Sequence, residues 1–329
     1  MAVDYDSLIQ RMLGGDRSAL ARLMTLVESR GSERPQVMSR LHQRYGRASV
    51  IGITGPPGAG KSTLLDRLVG RFRATGHQVG IVAVDPSSPF SGGAVLGDRI
   101  RMQSHFLDEG VFIRSLSARG NVGGLARATR DIVRLLDAFG KDIIVVETVG
   151  VGQSEFDVMR LAQTVVVVLV PEAGDTIQAM KAGLLETADI FVVNKADRPG
   201  ADRIKSELEM MLHMRPPTGW TIPVVLTVAT EGRGLEALVG SIEHHGQFLE
   251  ATGEAAARQA AGRREEFLSS LRDEIGRRVE RSAEDGSLAP LLAQVIDGTI
   301  DPYAAVLRVF EDPRLLKAVL DRAAAEVGS

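Results

Sequence analysis

Cysteine is absent from the 329 residues, which excludes a disulfide framework and a thiolate metal site. Six histidines are scattered, with His244 and His245 adjacent, and supply no substitute ligand set. An excess of one charge is missing too: 39 Lys and Arg face 42 Asp and Glu, a formal net charge of −3. The electrostatics therefore give no case for a nucleic acid or an anionic membrane as partner. No long apolar run is present either. The longest, 165–170, falls far short of the ~20 residues a spanning helix needs, and its β-branched residues suit a strand covered on both faces. The opening residues Met1-Ala2-Val3-Asp4-Tyr5-Asp6 lack a basic start and an apolar stretch, so no signal peptide is expected and a cytoplasmic location is. What remains, 44% hydrophobic and 25% charged residues, is ordinary for a globular protein, with length for one large α/β domain plus helical additions.

One stretch carries chemistry at once. Gly55-Pro56-Pro57-Gly58-Ala59-Gly60-Lys61-Ser62 fits G-x-x-x-x-G-K-[ST], preceded by a β-rich run, 49–54, and followed by a helical start from Thr63. Glycines let successive backbone N–H groups turn onto a phosphate, and the helix N-terminus adds its positive dipole end. Lys61 is expected at the β- and γ-phosphates and the Ser62 hydroxyl on Mg²⁺. The pattern implies a nucleoside triphosphate.

Downstream, the apolar run 190–193 ends in Asn194-Lys195-Ala196-Asp197, an N-K-x-D pattern. An Asp197 carboxylate can accept from both N1–H and the 2-amino group of guanine, a donor pair adenine lacks. Asn194 would hold the purine edge and the loop, with the Lys195 stem lying over the base. Thr227, Val228 and Ala229, after a strand at 222–226, occupy the place of a last base-contacting loop. GTP is favoured over ATP. Between these motifs the run 142–146 delivers Glu147-Thr148-Val149-Gly150, where Glu147 suits Mg²⁺ and the Gly150 N–H the γ-phosphate. Asp85, at the end of another apolar run, and Asp98 are further candidate metal or water ligands. Where many GTPases place a water-orienting Gln, this chain has Val151. Gln153 and Glu155 follow at a geometrically large offset, with Gln153 the catalytic candidate. Slow intrinsic hydrolysis, completed by a partner or a second movable segment, is expected.

The chain-wide pattern predicts three parts: a helical extension over 1–47, a nucleotide-binding domain over 48–248 and a helical segment over 249–329. Tyr5, Leu8, Ile9, Met12 and Leu13, then Leu20, Leu23, Met24 and Val27, recur at helical spacing, favouring packing on the chain's own domain over a partner-binding face. Strands are expected near 49–54, 79–84, 111–114, 142–146, 164–170, 190–193 and 222–226, with helices between. That is a doubly wound, mostly parallel sheet whose ligands bind beyond the strand C-termini. In the last segment Phe267, Leu268, Leu271, Ile275 and Val279 form a stripe, and Asp301-Pro302 and Asp312-Pro313 start two helices. Such a segment cannot bury its apolar surface on itself. Packing on the nucleotide domain is one remedy and homodimerisation, the favoured one, the other.

The chain resembles the methylmalonyl-CoA mutase-associated GTPases, the MeaB, ArgK or MMAA family, over nearly its whole length. The likeness rests on the phosphate loop, on Asp85-Pro86-Ser87-Ser88 with Gly97-Asp98-Arg99, on Glu147-Thr148-Val149-Gly150-Val151-Gly152-Gln153-Ser154-Glu155, on Gly174-Asp175 with Gln178 and Lys181, and on Asn194-Lys195-Ala196-Asp197. The resemblance implies a homodimeric G-protein chaperone of an adenosylcobalamin-dependent acyl-CoA mutase, gating cofactor loading and protecting the mutase. It implies Lys61 and Ser62 on phosphate and Mg²⁺, and Asp85, Asp98 and Glu147 around the metal. It also implies switches at 86–97, 150–155 and 171–183, with Lys181 contacting nucleotide or partner. Glu172 and Arg99 depart from the family's usual Gly and Lys. No D-x-H-x-x-G cobalamin signature occurs. Two other readings stand beside this one: a urease- or hydrogenase-type metal-insertion GTPase, which would want Cys or His near the switches, and a nucleotide-hydrolysing component of lysine/arginine/ornithine uptake, which would want adenine specificity.

Overall fold

The computed structural model describes residues 4–28, 33–85, 103–117, 122–148, 158–172, 187–215 and 219–321. Seven strands lie among them: β1 Ser49–Thr54, β2 Val79–Asp85, β3 Val111–Ser117, β4 Ile143–Thr148, β5 Thr164–Leu169, β6 Ile190–Asn194 and β7 Val224–Thr227. They form one sheet in the order β3-β2-β4-β1-β5-β6-β7, and every pairing is parallel. The predicted doubly wound α/β sheet is thus observed. Six of the seven strands depart from their expected limits by one to three residues, two of them for a physical reason. β7 begins after Pro223 rather than at 222, since proline has no N–H to give a ladder. β3 runs on to Ser117 because its serines pair in register with β2, ending at Asp85 opposite Ser117.

Alternation along the strands builds a core on each face. On one, Val82, Val84, Ile144, Val146, Val167, Leu169, Phe191 and Val193 meet Ile132, Leu135 and Leu136 of the helix Val122–Ala138. On the other, Ile51, Ile53, Ile81, Val145, Val166, Val168 and Val192 meet Leu64, Leu65 and Leu68 of the helix Lys61–Ala74 and Leu238 and Ile242 of the helix Leu235–Thr252. Each such side chain removed from water contributes about 1.5–3 kcal/mol, which explains the unbroken apolar runs 143–146, 165–169 and 190–193 within β4, β5 and β6.

The first helices, Tyr5–Leu13 and Arg17–Glu28, bury Leu8, Ile9, Met12, Leu20, Leu23 and Met24 in the first of these cores. Their stripe packs on the chain's own domain, as the spacing favours. Arg17 fastens it by donating to the carbonyls of Glu109 at 2.8 Å and Val111 at 2.9 Å.

Contacts divide the chain into two units, 1–255 and 256–329. Within the second, the helix Pro302–Glu311 starts at Asp301, which accepts from the N–H groups of Tyr303 at 2.9 Å and Ala304 at 3.1 Å. Asp312 does the same for Arg314 at 2.9 Å and Leu315 at 3.2 Å, so both Asp-Pro pairs are helix starts. Apolar side chains of this unit remain in water, with Phe267 65%, Phe310 68% and Tyr303 82% exposed. Among the described residues no helix is long and apolar enough to cross a membrane.

Candidate nucleotide-binding site

The C-terminal ends of β1, β2, β4, β5, β6 and β7 share one edge of the sheet. β1 sits at its centre, with β2, β3 and β4 on one side and β5, β6 and β7 on the other. The crevice where chain direction reverses is where ligands bind in sheets of this kind. The phosphate loop occupies it. Gly55, Gly58 and Gly60 hold φ of 146°, 78° and 84°. A Cβ at Gly55 would lie 2.1 Å from the Val168 carbonyl oxygen, and one at Gly60 2.5 Å from Asn194 Nδ2. Both positions therefore need glycine for backbone angle and for room. Pro56 and Ala59 are buried, whereas Pro57, Gly58 and Thr63 face solvent. Lys61 is 6% exposed, and its Nζ donates to the carbonyls of Gly55 at 2.8 Å and Pro56 at 3.0 Å.

At the second residue of the helix, Ser62 Oγ donates to Glu147 Oε1 at 2.7 Å. The pair joins positions 85 apart in sequence because β1 and β4 are neighbours, with Ile53 opposite Glu147. Beside it Thr148 Oγ1 donates to Thr54 Oγ1 at 3.0 Å, a tie between the two strand ends that no local pattern foretells. Two hard oxygen donors meeting beside a phosphate loop fit Mg²⁺, which takes one or two protein oxygens and completes its shell with phosphates and water. Asp85 closes β2, one register step beyond the Val84–Thr148 pair. Asp98, Gly150, Gln153 and Lys181 lie outside the described residues, as do Val149 and most of the three expected switches.

The predicted base loop is brought onto the phosphate loop directly. Asn194, 2% exposed, donates from Nδ2 to the Ala59 carbonyl at 2.9 Å. Its Oδ1 accepts from Thr227 Oγ1 and from the Ala229 N–H, both at 3.1 Å. Lys195 Nζ donates to the Gly58 carbonyl at 2.8 Å. Asp197 is exposed, while Thr227, Val228 and Ala229 are buried. Thr227 at the end of β7 and Ala229 just beyond it thus hold Asn194 in place. Two further anchors were invisible in the sequence: Arg67 donates to the Thr230 carbonyl at 2.9 Å, and Arg71 pairs with Glu236. The first ties the loop after β7, and the second the start of the helix Leu235–Thr252, to the phosphate-loop helix. Exposed arginines on a helix give no sign of the partner they meet so far along the chain.

Comparison with known proteins places these motifs in a named context. A sequence model of the family described as methylmalonyl-CoA mutase-associated GTPase MeaB matches residues 20–284. A Pyrococcus abyssi protein named as a GTPase is 48% identical, with 93% of this chain and 96% of that protein covered. The mouse protein named methylmalonic aciduria type A homolog, mitochondrial, is 32% identical over 91% of this chain and 77% of its own length. Among solved structures, a LAO/AO transport system kinase superposes with a TM-score of 0.71 at 28% identity, covering 94% of this chain and 98% of that one.

Proposed function

The chain belongs to the methylmalonyl-CoA mutase-associated GTPase family, MeaB, and from that membership we propose a GTP-hydrolysing chaperone of an adenosylcobalamin-dependent acyl-CoA mutase. The partner is a methylmalonyl-CoA-type mutase, whose cofactor loading the GTPase gates and which it protects. The guanine assignment is carried by one observation: Asn194 and Lys195 are bonded straight onto the carbonyls of Ala59 and Gly58. A base held at Asp197 and phosphates held at the loop are thereby measured against one rigid frame.

In this reading each residue has one task. The loop 55–60 and the helix N-terminus take the phosphate oxygens, and Thr63 continues that N-terminus. Lys61 supplies a cation for the β- and γ-phosphates. Ser62 and Glu147, with Asp85 and Asp98 in support, hold Mg²⁺, which when bound neutralises charge growing on the transferred phosphoryl group. Gly150 senses the γ-phosphate, and Gln153 and Lys181 complete the site when the partner is engaged. Asp197 takes N1–H and the 2-amino group of guanine. The proposed division of labour along the chain is 1–47 as extension, 48–248 as the G domain and 249–329 as a dimerisation segment, whose exposed Phe267, Tyr303 and Phe310 suit a second copy of the chain. A cytoplasmic location accompanies this reading.

The test is hydrolysis of GTP and ATP by the purified protein, with and without a candidate mutase. A slow GTP-only rate that rises severalfold with the mutase supports the proposal. A GTP rate indifferent to every acyl-CoA mutase removes the partner and brings metal insertion forward, while a preference for ATP brings transport forward.

A further inference from the structure

The residues that leave β5 meet those that follow the base loop. The Glu172 carboxylate accepts from the Arg198 guanidinium in an ion pair, and a Cβ at Gly200 would lie 3.8 Å from Pro171 Cβ. The partners stand 26 positions apart, juxtaposed because β5 and β6 run parallel side by side. Arg198, and beyond it Lys195, hold the Glu172 carboxyl below the usual carboxylate range.

Arg198 is also part of the base loop's own turn, its N–H donating to the Lys195 carbonyl at 3.0 Å. Among the described residues Lys195 is the single non-glycine with positive φ, 57°. Such a conformation persists only where surrounding bonds enforce it. Upstream, the enforcing bonds are those of Asn194 and Lys195 to the phosphate loop. Midway, the Ala196 N–H donates to the Thr227 carbonyl at 3.0 Å. Downstream, the side-chain tie is Arg198 to Glu172. Asp197 lies between the upstream and downstream ties, with its exposed carboxylate positioned by whichever of them is intact.

We infer that Glu172 is a positioning residue for base recognition: through Arg198 it fixes the limb of the loop that carries Asp197, and so sets guanine selectivity rather than phosphate affinity. This rests on the proposed reading that Asp197 takes the 2-amino group. The test uses the full chain with Mg²⁺ and compares Kd for GDP with Kd for IDP, which lacks that amino group, by calorimetry. Glu172→Gln narrows the preference for GDP about 2- to 5-fold, the scale of an exposed ion pair, with IDP, which keeps N1–H but lacks the amino group, weakened less than GDP and Tm unchanged. The double exchange Glu172→Arg with Arg198→Glu restores the preference in part. Raising the salt concentration narrows the preference of the unaltered protein toward that of Glu172→Gln, because exposed charges are screened.

Asp197→Ala separates the two ways of failing. If it abolishes the GDP preference while Glu172→Gln leaves the preference intact, base reading stands and the positioning role is overturned. If Asp197→Ala itself leaves the preference intact, base reading fails and the positioning role falls with it. Equal weakening of GDP and IDP in Glu172→Gln would mark a general loss of structure and would also overturn it.

Discussion

Replacing Asn194 by alanine should separate the frame of the site from its recognition surface. Asn194 makes three buried hydrogen bonds, to the Ala59 carbonyl at 2.9 Å and from Thr227 Oγ1 and the Ala229 N–H at 3.1 Å each. A typical intramolecular bond contributes about 1 kcal/mol net, and stranding a buried partner costs about 1–3 kcal/mol. The stranded groups are not solvated by the change: Ala59 is 0% and Ala229 3% exposed. The expected loss is therefore about 3 kcal/mol. In a unit spanning residues 1–255, where each kcal/mol moves the midpoint about 2–4 °C, Tm should fall by about 6–12 °C in a nucleotide-free thermal scan. Asp197→Ala is the control: an exposed side chain outside these bonds should shift stability by about 0.5 kcal/mol or less, yet remove guanine selectivity. An Asn194→Ala midpoint within about 2 °C of the unaltered protein would refute the reasoning, since the two loops would then be held together by something other than these bonds.

Glu147→Gln keeps the shape of the acceptor that meets Ser62 Oγ at 2.7 Å but removes its charge. Mg²⁺ affinity and Mg²⁺-dependent hydrolysis should drop about 10- to 100-fold while GDP binding in chelator is unaltered; an unchanged Mg²⁺ titration midpoint would show that Glu147 is not a metal-shell residue. Lys141 gives a pH dependence. It is 4% exposed, and burial first, then the charges of Arg17 and Arg73, push its pKa from 10.5 down to about 8. Between those two values the unfolded chain binds more protons than the folded one, so this group makes stability rise as pH increases through about 8 toward 10.5, by on the order of 2–3 kcal/mol. Lys141→Met should raise stability near neutral pH and remove that rise from denaturant curves taken across the window. The Gly110 carbonyl, which accepts from Lys141 Nζ at 2.8 Å, keeps the Val79 N–H at 2.9 Å; equal slopes in both proteins would exclude the buried ammonium as the cause.

The sheet was legible because its strands are buried on both faces, so burial leaves β-branched runs that end at motif residues. Glu147, Asn194 and Thr227 each terminate such a run, and a parallel sheet delivers every terminus to the same edge. Local pattern and global geometry carry the same information there. It differs for the bonds that lock the site. Thr54 with Thr148, Arg67 with the Thr230 carbonyl, and Glu172 with Arg198 are pairs of ordinary polar residues whose meaning arises only once strand order is known. Strand order is not periodic in the sequence; it follows from which crossover lies on which side of β1. The helical segment shows the complementary limit. Its Asp-Pro starts were readable, since a cap is local and Asp301 and Asp312 each bond to N–H groups two and three residues on. The destination of its apolar stripe was not, because helical spacing says that a face is apolar and nothing about what covers it. Leaving Phe267, Tyr303 and Phe310 in water forgoes about 1.5–3 kcal/mol for each aromatic that could be fully buried. A second copy of the chain presenting the same face would recover that energy twice over by symmetry, which is the energetic ground on which the dimer is proposed above.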